Sequence, residues 1–322
     1  MTSRTSYIRG TGAYLPERIL TNQDMSKIVD TSDEWIQERT GIKQRHIAAE
    51  GELTSDLATS AAKQALENAG LTPADVDLIV VATTTPDQTF PATATAVQAK
   101  LGVTGGAAFD VQAVCSGFLF AMATADSMLK QGLFSTAIVI GAETFTRILD
   151  WSDRTTCVLF GDGAGAAVLQ ADAGREDAGV IAHHIRTDGT KSDLLYVDGG
   201  VSSTGTIGMV RMQGNQVFRH AVTNISSAIS HVLTETGHEV SDIDWFVPHQ
   251  ANQRILNGVA KKMGLPEDKV ISTVALHGNT SAASIPLALH TAISDQRIKS
   301  GDLVLSEAMG GGFSWGATLF RL

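Results

Sequence analysis

The feature that most limits how this chain can fold is that its second half repeats its first. "ALENAGLTPADVDLIVVATTTPD" (65–87) lies beside "VLTETGHEVSDIDWFVPHQAN" (232–252), where Asp75 and Asp77 match Asp242 and Asp244 at an offset of 167. "LKQGLFSTAIVIGAE" matches "RIKSGDLVLSEAMGG", with Gly132 against Gly301 at an offset of 169. Both halves then end in glycines and a Gly-Ala strand, "GAGAAVL" (163–169) and "GFSWGATLF" (312–320). A near-constant offset over several elements marks an internal duplication. At 322 residues, each half is long enough to build its own core. The boundary is expected in the polar stretch "ADAGREDAG" (171–179), dividing the chain into 1–175 and 176–322. A glycine- and serine-rich segment, roughly 187–215, has no counterpart and reads as an inserted loop.

Inside a half, apolar runs of strand length recur: "VDLIVVAT" (76–83), "AAFDV" (107–111), "AIVIGAE" (137–143) and "CVLFGDGAGAAVLQ" (157–170). Helix-length segments separate them. "SDLATSAAKQALENAG" (55–70) opens on a capping serine and closes on glycine. Strands alternating with helices predict an α/β fold around a largely parallel, buried sheet. "GDGAGA" (161–166) imitates a dinucleotide-binding loop, but strand-like "AAVLQ" follows where a helix is required, so no nicotinamide cofactor is implied.

The duplication also places the reactive side chains. Cys115 follows a strand and opens an apolar segment, 115–130, spaced as a buried helix. The matching place in the second half is "HGNTSAASIPLALHTAI", where Asn279 precedes a helix starting near Ser281. His249 follows the strand "DWFVP", at the position Ala82 holds in the first half. Such exits from the C-terminal ends of parallel strands are where α/β sheets build sites. A thiol at a helix N-terminus meets free N–H groups and the positive end of the helix dipole, so its pKa is expected below about 8.5. That describes a nucleophile, yet cysteine is also among the most buried residue types, and both readings fit Cys115 here. His249 reads equally as a capping histidine, and Asn279 as a turn residue or N-cap. Cys157, inside "TTCVLF", reads as core packing.

Charge and cysteine content narrow the function. The net charge of −10 argues against a general nucleic-acid binder. Two cysteines make neither a disulfide scaffold nor a zinc site, so no metal is expected and a reducing cytosol fits. The opening "MTSRTSYIRGTGAYLPE" lacks the apolar core of a signal peptide, and no run reaches the roughly 18 apolar residues of a membrane span. A cytoplasmic protein without membrane or nucleic-acid partners is the expectation.

Taken in order, "VQAVCSGF", "VPHQANQRI", "HGNTSAASIP" and "EAMGGGFSWG" resemble the motifs of β-ketoacyl-acyl-carrier-protein synthase III, a thiolase-fold condensing enzyme family. The likeness runs from "GTGAYLPE" to the last strand. It implies a five-layered α-β-α-β-α fold of two similar halves. It also implies a ping-pong Claisen condensation: an acyl group moves from coenzyme A to Cys115, and malonyl-carrier protein then loses carbon dioxide and attacks the acyl thioester. His249 and Asn279 would stabilise the enolate, since a neutral imidazole and an amide both donate. The Cys115 N–H and an N–H from Gly310–Gly312, above all Gly311, would hold the oxyanion. Thiolases want a second cysteine near the C-terminal glycines, and residues 300–322 have none; longer-chain ketoacyl synthases use Cys-His-His. Secondary-metabolite relatives share this residue set. A cysteine thioesterase would want an acidic orienter for the histidine, and no carboxylate lies near His249 in sequence.

The resemblance carries Trp35 and Arg154 onto an adenine sandwich and places Gly214 and Asn215 along the pantetheine arm of coenzyme A, which is a substrate and not a cofactor. After His249, residues Gln250, Ala251, Asn252, Gln253 and Arg254 fall in the carrier-binding motif. Arg254, Lys261 and Lys262 share one helix face, and Arg219 begins another helix nearby. On an acidic chain this basic face reads as the dock for an acidic carrier protein. Phe90, in "TPDQTFPATAT", is implied to close the acyl pocket of the partner in a homodimer.

Overall fold

The computed structural model describes residues 4–172 and 178–322. The expected boundary at 175/176 lies outside the described residues. On either side of it stand two sheets with matching connectivity. The first holds β1 (Thr5–Tyr14), β2 (Leu78–Ala82), β3 (Ala107–Val111), β4 (Thr136–Glu143) and β5 (Gly163–Asp172), in the order β1-β5-β4-β2-β3. The second holds β6 (Gly179–Thr187), β7 (Trp245–Pro248), β8 (Leu303–Gly310) and β9 (Ser314–Arg321), in the order β7-β8-β9-β6. Only β5 runs against the other strands of its sheet, and only β9 against those of the second, so the largely parallel expectation describes both.

The apolar runs explain the layers. Every residue of β2 is fully buried. A strand covered on both faces needs such an unbroken apolar run, and each wholly buried Val, Leu or Ile contributes about 1.5–3 kcal/mol. Because side chains alternate, Leu78, Val80 and Ala82 face one core while Ile79 and Val81 face another. The outer core is covered by α1 (Thr54–Ala69) and α2 (Thr93–Leu101). The inner core holds α3 (Gly117–Lys130) and α6 (Ser284–Ser294), packed between the two sheets. On the far side of the second sheet lie α4 (Gly214–Thr236) and α5 (Gln253–Met263), their apolar stripes facing Phe246, Leu305 and Leu319. The sequence of layers is α-β-α-β-α.

The halves meet without clearance. A Cβ on Gly141 of β4 would lie 2.1 Å from the Ala282 carbonyl oxygen, and one on Gly165 of β5 would lie 2.7 Å from the Leu287 amide nitrogen. Real Cβ atoms do not approach backbone so closely, so these glycines let the first sheet lie flush against the segment that carries Asn279.

Three local expectations change. Helix α1 starts at Thr54, and its cap is not Ser55: the Leu53 N–H donates to Asp56 at 2.9 Å, while the Ser55 N–H donates to Asp87. Cys157 lies in a turn instead of a strand, although it is buried among Leu20, Met25 and Val158 as core packing requires. The inserted loop contains a small antiparallel ribbon, Leu195–Val197 with Val210–Met212.

Candidate active site

Cys115 sits in a 3-10 turn, Val114–Ser116, that runs directly into α3. Val114 holds φ at +49°, a region that a β-branched residue enters only at a cost of roughly 1–3 kcal/mol. Both sides of the turn are tied down. Ser314 at the head of β9 donates to the Ala113 carbonyl at 2.9 Å, and the Ser116 hydroxyl donates to Ser314 at 2.8 Å. Gly310 presses so near that a Cβ there would lie 2.7 Å from the Cys115 nitrogen. Cys115 is 4% exposed.

The second half builds the same turn at Ser281–Ala283, running into α6, with Ser281 at φ +48°. Ser281 is the counterpart of Val114 at the offset of 167, so Cys115 corresponds to Ala282 and Asn279 to Gln112. This corrects the expectation that Cys115 and Asn279 are equivalent: they share one loop of the repeat, three residues apart. Asn279 is gripped by the first half. Its N–H donates to the Leu159 carbonyl at 2.9 Å, and its carbonyl accepts from the Gly161 N–H at 3.0 Å. Its side-chain Oδ1 accepts from the Ser281 N–H at 2.9 Å, which leaves the Nδ2 group as the free donor. His249 follows the last residue of β7. Its N–H donates to the Glu307 carbonyl at 2.8 Å, and its Nδ1 lies 2.6 Å from Ser284 Oγ. The Gln250 N–H points at the same oxygen from 3.4 Å; with the serine proton given to Nδ1, the imidazole proton is carried on Nε2.

Cys115, His249 and Asn279 line one cavity of about 250 Å³. Gly214, Asn215, Ala251, Asn252 and Arg254 line it as well. Its electrostatics depart from expectation. Burial pushes the Cys115 thiol up to about 12; the Ser281 hydrogen bond opposes this, and the Glu143 charge adds to it. The thiol therefore rests protonated. A helix terminus offers about 0.3–2 kcal/mol, whereas full desolvation moves a pKa by up to 3–5 units, so burial wins. Burial likewise pushes His249 down to about 3 and keeps it neutral. Glu307 also lines the cavity, with its carboxyl pushed up to about 8 by burial and Oε2 without a hydrogen-bond partner among the described residues. The expectation of no carboxylate near His249 is thus corrected in space. The group that touches the imidazole is still the Ser284 hydroxyl.

The remaining expected residues divide. Trp35 and Arg154 meet, but directly: the guanidinium stands 5.2 Å from the ring centroid and is held by the Asp30 carbonyl at 2.9 Å. A purine between them needs about 7 Å, two carbon contacts of about 3.5 Å each, so the sandwich is closed. Arg39 covers Trp35 from 4.9 Å and reaches the cavity; the sequence reading passed over it. Gln250 is corrected outright as a carrier contact. It is 1% exposed, and its amide is used inside, donating to Pro248 and Ile271 and accepting from Thr273 and Val274. Asn252 caps α5 through the Ile255 N–H, and Gln253 bonds to Asn257 and Ser272. Arg219, Arg254, Lys261 and Lys262 are exposed, with Arg219 in the second turn of α4 and not at its start. Phe90 is 82% exposed. Gly311 is buried against the Leu195 carbonyl. Among the described residues no cluster of three His, Cys, Asp or Glu is placed to hold a metal, and no helix is long and apolar enough to cross a membrane.

Known proteins share this arrangement. Residues 109–189 match the family described as 3-oxoacyl-[acyl-carrier-protein (ACP)] synthase III, and residues 233–322 match the C-terminal family of the same enzymes. The beta-ketoacyl-[acyl-carrier-protein] synthase III of Hyphomonas neptunium is 74% identical over 99% of this chain and 99% of its own. That of Caulobacter vibrioides is 63% identical over 98% of this chain and 99% of its own. The crystal structure of 3-oxoacyl-[acyl-carrier-protein] synthase III from Aquifex aeolicus, at 47% identity, matches with a TM-score of 0.94 over 98% of this chain and 100% of that one. The priming beta-ketosynthase of the R1128 polyketide pathway, at 33% identity, also reaches 0.94, over 99% and 97%. With the duplicated fold and the shared cavity, this likeness over nearly the whole length means that the chain belongs to the β-ketoacyl-acyl-carrier-protein synthase III family of thiolase-fold condensing enzymes.

Proposed function

We propose that the chain starts fatty acid synthesis as an acyltransferase, condensing an acyl-coenzyme A primer, acetyl in the first instance, with malonyl-acyl-carrier protein. The products are 3-oxoacyl-carrier protein, coenzyme A and carbon dioxide. One observation carries this reading: Cys115, His249 and Asn279 line a single cavity at the ends of two buried helices. Cys115 takes the acyl group. The His249 Nε2–H and the Asn279 Nδ2–H are the two donors left free by the hydrogen bonds behind them. Both are neutral and keep their protons while negative charge grows on the malonyl thioester oxygen. The Cys115 and Gly311 N–H groups serve the oxyanion at the acyl carbon. Coenzyme A enters as a substrate, along Gly214, Asn215 and Arg254, with its adenine taken up once Arg154 swings off Trp35. The reaction calls for no resident cofactor or metal.

The carrier docks on the exposed face of Arg219, Arg254, Lys261 and Lys262. The chain works as a homodimer. Strand β3 ends the first sheet with one side of its ladder open and its residues half-buried; such an edge invites a second copy. Phe90, exposed near that edge, closes the acyl pocket of the partner. Incubation with labelled acetyl-coenzyme A, followed by malonyl-carrier protein, tests the reading. Label on Cys115 and then in a ketoacyl product is the expected result. Label released as free acetate indicates a thioesterase instead.

A further inference from the structure

A buried charge stands behind Asn279, outside the cavity. Arg45 belongs to a short antiparallel ribbon, Arg18–Thr21 with Gln44–Ile47, separate from the two large sheets. It has no exposure, and among the described residues no carboxylate forms an ion pair with it. Its acceptors are all uncharged. Nη1 donates to the Leu20 carbonyl at 3.2 Å and to Asn22 Oδ1 at 2.9 Å, and Nη2 donates to the Val158 carbonyl at 2.6 Å. Burial pushes the guanidinium down to about 10, which still leaves it charged in neutral solution. A buried charge without a counter-charge costs stability that an apolar side chain would spare.

What the arginine holds is the seat of Asn279. Val158 leads into the stretch whose Leu159 carbonyl accepts the Asn279 N–H and whose Gly161 N–H donates to the Asn279 carbonyl. The arginine stem lies against the same backbone. A Cβ on Gly161 would stand 2.9 Å from the Arg45 Cβ, and one on Gly278, the residue before Asn279, would stand 3.2 Å from it. Asn22 aims the guanidinium from behind: its amide donates to the Ile42 carbonyl at 2.7 Å and to Asp33 at 2.8 Å, which turns its Oδ1 to Arg45. Arg45 does not line the cavity, so it can act only through the residues it holds.

Asn279 is sensitive to such a hold. Its Oδ1 is tied to the Ser281 N–H, so the direction of Nδ2 follows the backbone. A donor serves an oxyanion only from about 2.7–3.1 Å. Cys115 is held separately, by Ser314, Ser116 and Gly310. We infer that Arg45 is a positioning residue for the condensation half of the reaction: by holding Val158 and packing against Gly161 and Gly278, it sets the backbone that aims the Asn279 amide at the enolate. The inference rests on the reading of Asn279 as an enolate donor. Lysine cannot replace the fork, because one ammonium offers a single point charge where the guanidinium spans three acceptors on two nitrogens.

Arg45→Lys is tested in the full chain, with acylation read at saturating labelled acetyl-coenzyme A and condensation read in a single turnover of the acylated chain with malonyl-carrier protein. Acylation is expected near the wild-type rate. Condensation is expected to slow about tenfold, within the 10²-fold that a misplacement of about 1 Å can cost. A merely structural arginine moves both half-reactions together or neither, and either result overturns the inference. In an Asn279→Ala background the loss should vanish, because no amide is left to aim; losses that multiply there overturn it as well. Should Arg45→Lys fail to fold by its melting transition, Asn22→Ser, which withdraws the acceptor on Nη1 and leaves the arginine, decides by the same split. Hydrogen exchange judges the hold apart from activity. The Gly161 and Asn279 amides should exchange faster in the variant while residues 113–117 keep the wild-type rate, and unchanged exchange at the two amides overturns the inference. If wild type takes no label from any acyl-coenzyme A, the function proposed above fails, and the exchange rates still judge whether Arg45 holds Asn279.

Discussion

The turns at Val114–Ser116 and Ser281–Ala283 have the same backbone and different duties. The first follows strand β3 and the second a short helix, Val274–His277, so Asn279 does not stand at a strand exit as expected; yet each holds its first residue near φ +48°, and each launches a helix into the middle layer. In the first, the residue after the strained position is Cys115; in the second it is Ala282. The strained residue itself is Val114 in one and Ser281 in the other, and only the serine has a hydroxyl to offer. The strands behind the turns also differ at matching positions. The ladders, with Ala137 beside Leu78 and Val304 beside Trp245, align β4 with β8 at an offset of 167 and not the 169 read from Gly132 and Gly301; Glu143 then closes β4 where Gly310 closes β8, and Glu307 sits in β8 where β4 holds Ile140. Duplication supplied a frame, and the chemistry lies where the copies diverged.

The largest effect should come from testing whether the turns are interchangeable. Cys115→Ala is expected to lower acyl transfer on the order of 10⁴-fold or more, measured as label retained from acetyl-coenzyme A. Adding Ala282→Cys to that variant should restore nothing; label on the second thiol would erase the distinction between the turns. Next in size, Asn279→Ala and His249→Ala should each keep acylation and lose about 10²- to 10³-fold in decarboxylation, separated by single-turnover labelling. Full-rate condensation by Asn279→Ala would remove Asn279 from that step.

A smaller effect concerns the surface helices. α2 and α5 are counterparts, yet Lys100 of α2 is paired with Asp56 at 2.6 Å, while among the described residues no carboxylate pairs with Lys261 or Lys262 of α5, and Lys262 donates to the Val222 carbonyl at 3.4 Å. Lys261→Glu with Lys262→Glu should raise KM for malonyl-carrier protein about tenfold, worth about 1.4 kcal/mol, and leave KM for acetyl-coenzyme A near its original value. High salt should weaken the carrier half-reaction in the same selective way; equal sensitivity of both halves would count against the dock.

The last effect, read in stability and not in activity, tests Glu307 against its apolar counterpart. Burial raises this carboxyl from 4.5 to about 8, so the folded chain keeps a proton that the unfolded chain releases. Its contribution to stability is whole below pH 4.5 and fades as pH climbs through about 8. Glu307→Gln does not fade, so its melting temperature relative to wild type should rise from pH 5 to pH 9. A difference that stays constant with pH would place the carboxylate in contact with solvent.

The run of five layers and the choice of Cys115, His249 and Asn279 came from the likeness of four motifs to the condensing enzymes, since the residues alone left each with a packing, capping or turn alternative; the two-fold repeat and the buried sheet were legible directly, as an offset and as unbroken apolar strands. The thiol's protonation was not. It depends on how completely the second half covers Cys115, which no spacing along the chain records. Glu307 reads as an ordinary residue of an apolar strand, and Ser281 and Ser284 read as turn and helix-start serines. Gln250 failed as a carrier contact for the converse reason: it lies inside a matching motif, but its amide satisfies buried backbone groups at Ile271, Thr273 and Val274. A motif reports which residues stand together and not which way each one faces.

The place of β9 bears on the order in which the protein is made. Among the described elements this strand comes last along the chain, yet it lies between β8 and β6, and its first residue ties down the Ala113 carbonyl on one side of Cys115 and the Ser116 hydroxyl on the other. A ribosome-bound chain that has already produced the cysteine, the histidine and the asparagine still lacks the strand that completes their sheet and brackets the thiol. Until that strand inserts, the Ala113 carbonyl and the Ser116 hydroxyl lack the Ser314 hydroxyl that ties them, so the turn presenting the thiol is completed by the last of the described strands.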